Sequence, residues 1–269
     1  GGAGNDAGKN LSLATLGLRN LIVDDIETVS ELFQNTSMIQ IVYADHTRVI
    51  ITFRDGQIDR IRGSVDGITK LLNSSDASLR SKAITALGDI ALDEHRDAVD
   101  ALLAILQNNN EAAALRDTAG DALLNILLRT YNISDNSQNL RENFSAIMRN
   151  NRSRYTHMIK VVYALNRLAH RDFNYLYAQL ENKDVTALEY ANKIAVLAND
   201  YDALSAGEKE ELVWAMILHD IAYADLSGTW RDWGDDAKAS SMAPHFLQGR
   251  TGMTEERIER IQALIRRYH

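Results

Sequence analysis

Two stretches of the chain repeat each other at a constant interval of 36 residues. Leu79-Arg80-Ser81-Lys82-Ala83-Ile84-Thr85-Ala86-Leu87-Gly88-Asp89-Ile90 lines up with Leu115-Arg116-Asp117-Thr118-Ala119-Gly120-Asp121-Ala122-Leu123-Leu124-Asn125-Ile126. Each copy follows an apolar segment, Ile68 to Leu72 and Ala98 to Leu106, with a polar turn between. A period of this size belongs to architectures made of stacked helix pairs. Ala83, Ala86, Ala119 and Ala122 allow neighbouring helices to approach closely, and the leucines fill the layer between pairs. Two copies fall short of the three that such arrays normally need. The pairs are therefore expected to pack against what precedes and follows them. The single proline among 269 residues, Pro244, fits a chain composed mostly of helices.

One region departs from the helical pattern. Between Met38 and Ile61 the apolar residues alternate in the manner of strands: Ile39, Ile41 and Tyr43, then Val49, Ile51 and Phe53, then Ile58. Asp55-Gly56 marks a tight turn between the second and third runs, and Asp45-His46-Thr47 a looser first turn. The expectation is a three-stranded antiparallel meander packed on an amphipathic helix, Ile22 to Phe33, with His46 solvated in its loop. The Gly/Asn-rich residues 1–10 read as a flexible tail, residues 11–63 as helix plus meander, and 64–131 as the helical repeats. Residues 132–139, rich in Asn and Ser, read as a linker, and 140–269 as a second helical domain.

A formal net charge of −8 argues against nucleic acid as the main partner, since phosphate contacts need clustered Lys and Arg. One local basic cluster exists, Arg149, Arg152 and Arg154. With no cysteine there can be no disulfide, thiolate metal site or cysteine nucleophile. No apolar run reaches bilayer-spanning length and no signal peptide precedes Leu11, so no membrane association and a cytoplasmic location are expected.

The chemistry-bearing stretch is Trp214 to Tyr223, W-A-M-I-L-H-D-I-A-Y, an apolar run that delivers His219 and Asp220 at the end of a buried helix. An imidazole nitrogen beside a hard carboxylate suits a divalent cation such as Zn, Fe, Mn or Mg. A His and an Asp closing a helix also serve as C-terminal capping and loop groups.

The repeats, with their L-R-x-x-A-x-x-A-L pattern, resemble HEAT repeats. The run from Leu218 to Tyr223, within about Ser153 to His269, resembles the HD-domain superfamily of metal-dependent phosphohydrolases. The two resemblances imply a mainly α fold: a short HEAT-like array and an HD-like helical bundle, beside the small β meander. In the HD family the metal ligands run His, His-Asp, often further His, then a distant Asp.

Two registers are open for the first His. The run around His157, R-x-R-Y-T-H-M-I-K-V-V, looks like the family's opening helix. Tyr190 to Ala198 also fits, 29 residues before His219, but puts a phenol, a poor ligand at neutral pH, at the ligand position. Further along, Asp236 matches a position where many relatives carry a His; it can equally cap a helix start. His269 falls where many relatives carry another His, and the family's final Asp would lie beyond it. His245 is a spare candidate. Trp230 and Trp233 could wall a cleft or simply pack beneath a loop.

The resemblance thus implies one or two divalent ions (Mn, Fe, Mg or Zn) held by His219, Asp220 and some of His157, Asp236 and His269. Asp220 would be the catalytic carboxylate, and Lys238, Arg231 or Arg250 would neutralise a small phosphorylated substrate or nucleotide. The alternative is an inactive HD-like and HEAT-like scaffold that presents its repeats to a protein partner.

Overall fold

The computed structural model describes residues 26–31, 38–133, 137–180, 183–232 and 234–267. The chain is mainly α-helical and divides into two compact units, 1–130 and 131–269.

In the first unit four strands, not three, form an antiparallel meander: β1 Ile26–Glu31, β2 Met38–Tyr43, β3 Arg48–Arg54 and β4 Gln57–Gly63, hydrogen-bonded in that order. The helix expected over Ile22 to Phe33 is therefore corrected, since its middle is the edge strand β1, with Val29 opposite Ile41. The β3–β4 turn is the tight one expected. Arg54 pairs with Gln57, and Asp55 and Gly56 both take positive φ, 53° and 76°, as a hairpin turn matched to strand twist requires. Ile39, Ile41, Tyr43, Val49, Ile51, Phe53, Ile58 and Ile61 are buried along one face. Strand alternation thus supplies a half-apolar sheet that needs a cover.

Helices α1 (Val65–Lys70) and α2 (Ala77–Ile90) pack on this sheet. Ser64 caps α1 through its Oγ, which accepts from Gly67 N, and Asp76 caps α2 by accepting from Leu79 N. Helices α3 (Arg96–Gln107) and α4 (Ala113–Thr130) follow, and α4 lies against both α2 and α3. The two repeated segments sit in α2 and α4. Ala122, one of the small residues expected to let helices approach closely, stands at such a contact. A Cβ on Gly88 would come within 2.9 Å of Ala122 Cα, so the helices touch backbone to backbone there. The repeated arginines act alike: Arg80 Nε donates to Leu72 O, and Arg116 Nε to Leu106 O, each closing the helical segment before its own. Arg80 adds a two-armed bond to Glu111.

The second unit begins with α5 (Ser137–Asn150), which takes in the last residues assigned to the linker, and α6 (Arg152–Ala169). It continues through α7 (Phe173–Ala178), α8 (Ala187–Ala203), α9 (Ala206–Leu218), α10 (Asp235–Leu247) and α11 (Glu255–Arg266). Short 3-10 turns at Ile221–Ala224 and Thr229–Asp232 join α9 to α10. Helix α9 packs on α6 and α11. Glu211, buried on α9, accepts hydrogen bonds from Arg257 Nε at 3.1 Å and Arg260 Nη2 at 2.8 Å, tying α9 to α11. Among the described residues no helix is long and apolar enough to cross a membrane.

Candidate metal centre

Helix α9 starts with a reciprocal capping box, Ser205 with Glu208, and ends in a run that is apolar almost all round. Val213, Trp214, Ala215, Ile217 and Leu218 are buried, so the C-terminal half of the helix enters the core. His219 caps it and Asp220 opens the following 3-10 turn, which leaves the two side chains 3% and 4% exposed. A buried carboxylate is costly unless its charge is matched.

His219 Nδ1 lies 2.6 Å from Met216 O. A carbonyl oxygen only accepts, so Nδ1 carries the proton, and in the neutral ring Nε2 presents its lone pair. Nε2 is 3.1 Å from Asp220 Oδ2, an oxygen that is buried and makes no hydrogen bond among the described residues. A proton on Nε2 or a metal ion between the two would each match this spacing. Donors bound to one cation at about 2.1 Å and roughly a right angle would stand about 3 Å apart, so the spacing fits a shared metal.

The third member comes from α6. His157, Asp220 and His219 each offer a ligand atom, and these atoms lie within 4.8 Å of one another. The ring of His157 meets that of His219 edge to face, with centroids 5.5 Å apart. His157 is exposed as a residue, but its ring is crowded, and the loss of water lowers its pKa. Asp220 opposes that shift, whereas His219, Arg154 and Lys160 add to it. Kept neutral, His157 can donate a nitrogen to a cation. Two histidines and one carboxylate could hold a metal ion.

Of the two registers, the geometry brings His157 to the His-Asp pair. Tyr190, on α8, instead packs against Tyr177, with ring centroids 5.5 Å apart. Asp236 does not join the cluster. It stands in the first turn of α10 with Asp235, where carboxylates favour a helix start. His245 is exposed near the end of α10. His269 and Trp233 lie outside the described residues.

Two of the three expected substrate-binding cations are engaged elsewhere. Lys238 pairs with Asp225 at 3.1 Å, and Arg250 lies over the Trp214 ring with its Nε donating to Phe246 O. Arg231 is exposed in the turn after Gly228. The cation beside Asp220 is Arg154, a residue that the sequence analysis placed only in a basic cluster. Its Nη1 is 3.9 Å from Asp220 Oδ1, and its guanidinium stacks 4.8 Å from the centre of the Tyr223 ring. Burial raises the Tyr223 pKa, so its hydroxyl stays protonated and donates to Asp235 Oδ2 at 3.3 Å. Trp230 packs edge-on against the same ring at 5.2 Å and anchors its Nε1 on Asp225 O, which makes it a buried support. The helical spacing held the signal for Arg154, since three residues before His157 is the same face of α6.

No family model matches the chain, and no curated protein or solved structure is similar to it.

Proposed function

We propose that the second unit is a divalent-metal-dependent hydrolase of phosphoester bonds, organised like the HD superfamily that the His219-Asp220 run resembles. The observation that carries this reading is the convergence of His157 with His219 and Asp220 beside the half-exposed guanidinium of Arg154. When bound, a divalent cation supplies Lewis acidity toward a phosphoryl oxygen and toward water.

The remaining work falls to the chain's own groups. His157 and His219 offer nitrogen donors, and Met216 O fixes the His219 tautomer. Asp220 offers Oδ2 on the His219 side, while Oδ1 faces Arg154 and is free to orient or accept a proton from water. Arg154, whose guanidinium carbon lies 4.8 Å from the Tyr223 ring centre, offers fork-like donors to a phosphoryl group. A set of two nitrogens and one oxygen suits Mn, Fe or Zn better than Mg, which prefers oxygen alone.

The test is a panel of phosphomonoesters, phosphodiesters and nucleotides, assayed with Mn-, Fe- and Zn-loaded protein beside His219→Ala. Hydrolysis of one class by the wild type, lost in the variant, supports the reading. Stoichiometric metal without hydrolysis of any class would refute it, and oxygen uptake by the iron-loaded form would then indicate an oxygenase, which the same ligand set also suits.

A further inference from the structure

We propose that the groove between the first half of α9 and the exposed side of α11 is a second ligand site, one that takes a small amphipathic anion: a carboxylate or phosphate carried on an apolar chain. None of its lining residues is a candidate metal ligand, so the inference stands apart from the hydrolase reading.

The groove has a volume of about 770 Å3, which lies in the range of small-molecule sites. Its apolar lining comes from Leu204 and Leu212 on one side and Ala263 and Leu264 on the other. The charged lining is Glu208, Glu211, Arg257, Arg260 and Arg267. Most of that charge is already committed. Arg257 is spent on Glu210, Glu211 and the carbonyls of Gly207 and Gly252. Glu211 is saturated by Arg257 and Arg260, and Glu208 turns back to accept from Ser205 N at 2.8 Å.

What remains is one exposed oxygen of Glu208 and the spare donors of two arginines, a balance that is net positive. Arg260 uses Nε and Nη2 on Glu211, keeps Nη1 unengaged among the described residues, and has a side chain 55% exposed. The Arg267 backbone N–H donates to Leu264 O, while its exposed side chain makes no hydrogen bond or ion pair among the described residues. Arg267, the C-cap of α11, lies seven residues after Arg260, near the continuation of the same face. That places them about 10 Å apart along the axis, with Leu264 between them. Spare guanidinium donors flanking an apolar floor complement an anionic head joined to an apolar tail, and they do not complement a cation or a neutral sugar.

The experiment titrates the full chain with decanoate and with decyl phosphate by calorimetry, with decanol as the uncharged control. Saturable one-to-one binding of at least one anion is expected, and the tighter of the two identifies the head group. Arg267→Gln, which removes no internal contact, should weaken that binding about tenfold or more at unchanged Tm. His219→Ala should bind as the wild type does. The proposal is overturned if neither anion saturates at millimolar concentration, if decanol binds equally, or if Arg267→Gln binds as the wild type does. Loss of binding in His219→Ala would also overturn it, because the anion would then be sitting at the metal centre.

Discussion

The imidazole of His157 meets that of His219 edge to face at 5.5 Å, although 62 residues and three helix starts separate them in the chain. One ring comes from the second turn of α6 and the other from the residue that caps the end of α9, so the pair exists only when those helices are packed. Metal binding should therefore need both histidines. His157→Ala and His219→Ala are each expected to lower affinity for Mn or Zn by more than the roughly 10–100-fold seen when only a supporting residue is lost. Tyr190→Phe should leave metal content unchanged. Elemental analysis of the three proteins decides the matter, and a metal-free Tyr190→Phe would return the other register to consideration.

Asp220 should be a liability to the metal-free fold. Its side chain is 5% exposed, its nearest cation, Arg154, is 3.9 Å away, and Oδ2 faces the His219 ring. Asp220→Asn removes the buried charge and keeps the shape, so the stripped variant is expected to melt a few degrees above the stripped wild type, a gain on the order of 1 kcal/mol. With metal added the order should reverse, because only the wild type gains from binding. Thermal unfolding with and without chelator reads both halves, and a lower Tm for the stripped variant would mean that the carboxylate is already compensated.

Glu211 gives the second unit an acid limit. Hydrogen bonds from Arg260 lead the causes that hold its pKa below the usual carboxylate range, with Arg257 adding to them and burial opposing. A depressed carboxyl contributes stability that is complete above its unfolded pKa of about 4.3 and is lost as pH falls through the lower folded value. Glu211→Gln should flatten that part of the profile. At neutral pH it should cost on the order of 2–3 kcal/mol, since two arginines lose a buried charged acceptor. Unfolding free energies from pH 7 down to 3 test this, and parallel profiles for the two proteins would count against it.

Gly88 should resist replacement even by alanine. In an open helix that change gains up to about 1 kcal/mol. Here the new Cβ would stand 2.9 Å from Ala122 Cα and 3.0 Å from its Cβ, and such overpacking costs about 1–3 kcal/mol. Gly88→Ala is therefore expected to destabilise the first unit. Ala122→Gly should relieve part of the clash, and additive single and double variants in denaturant melts would show that the helices move apart freely.

Much of this architecture is legible in the sequence because its signals are periodic and mutually consistent. The repeat, the turn at Asp55-Gly56 and the apolar run into His219 each appear where the residues place them. The lost element, β1, shows how a short window misleads. Ile22, Ile26, Val29 and Phe33 recur at helical intervals, yet Ile26, Thr28 and Val29 are β-branched, and pairing with β2 settles a stretch that periodicity leaves ambiguous. At the metal centre the adjacent pair could be read directly. Its third member depended on a tertiary contact between α6 and α9 that spacing could not supply. The expected cations Lys238 and Arg250 were diverted by neighbours distant or unremarkable in sequence, Asp225 and Trp214.

Arg80 and Arg116 both tie their helix to the preceding segment through a main-chain oxygen, Leu72 O and Leu106 O. Every residue type carries that oxygen, so the tie asks nothing of the side chain at its far end. A helix pair built this way brings its own fastening to whatever helix comes before it. Copies of the 36-residue unit could be duplicated or deleted during evolution without a matching change in the neighbour, leaving only the packed apolar face to be re-fitted.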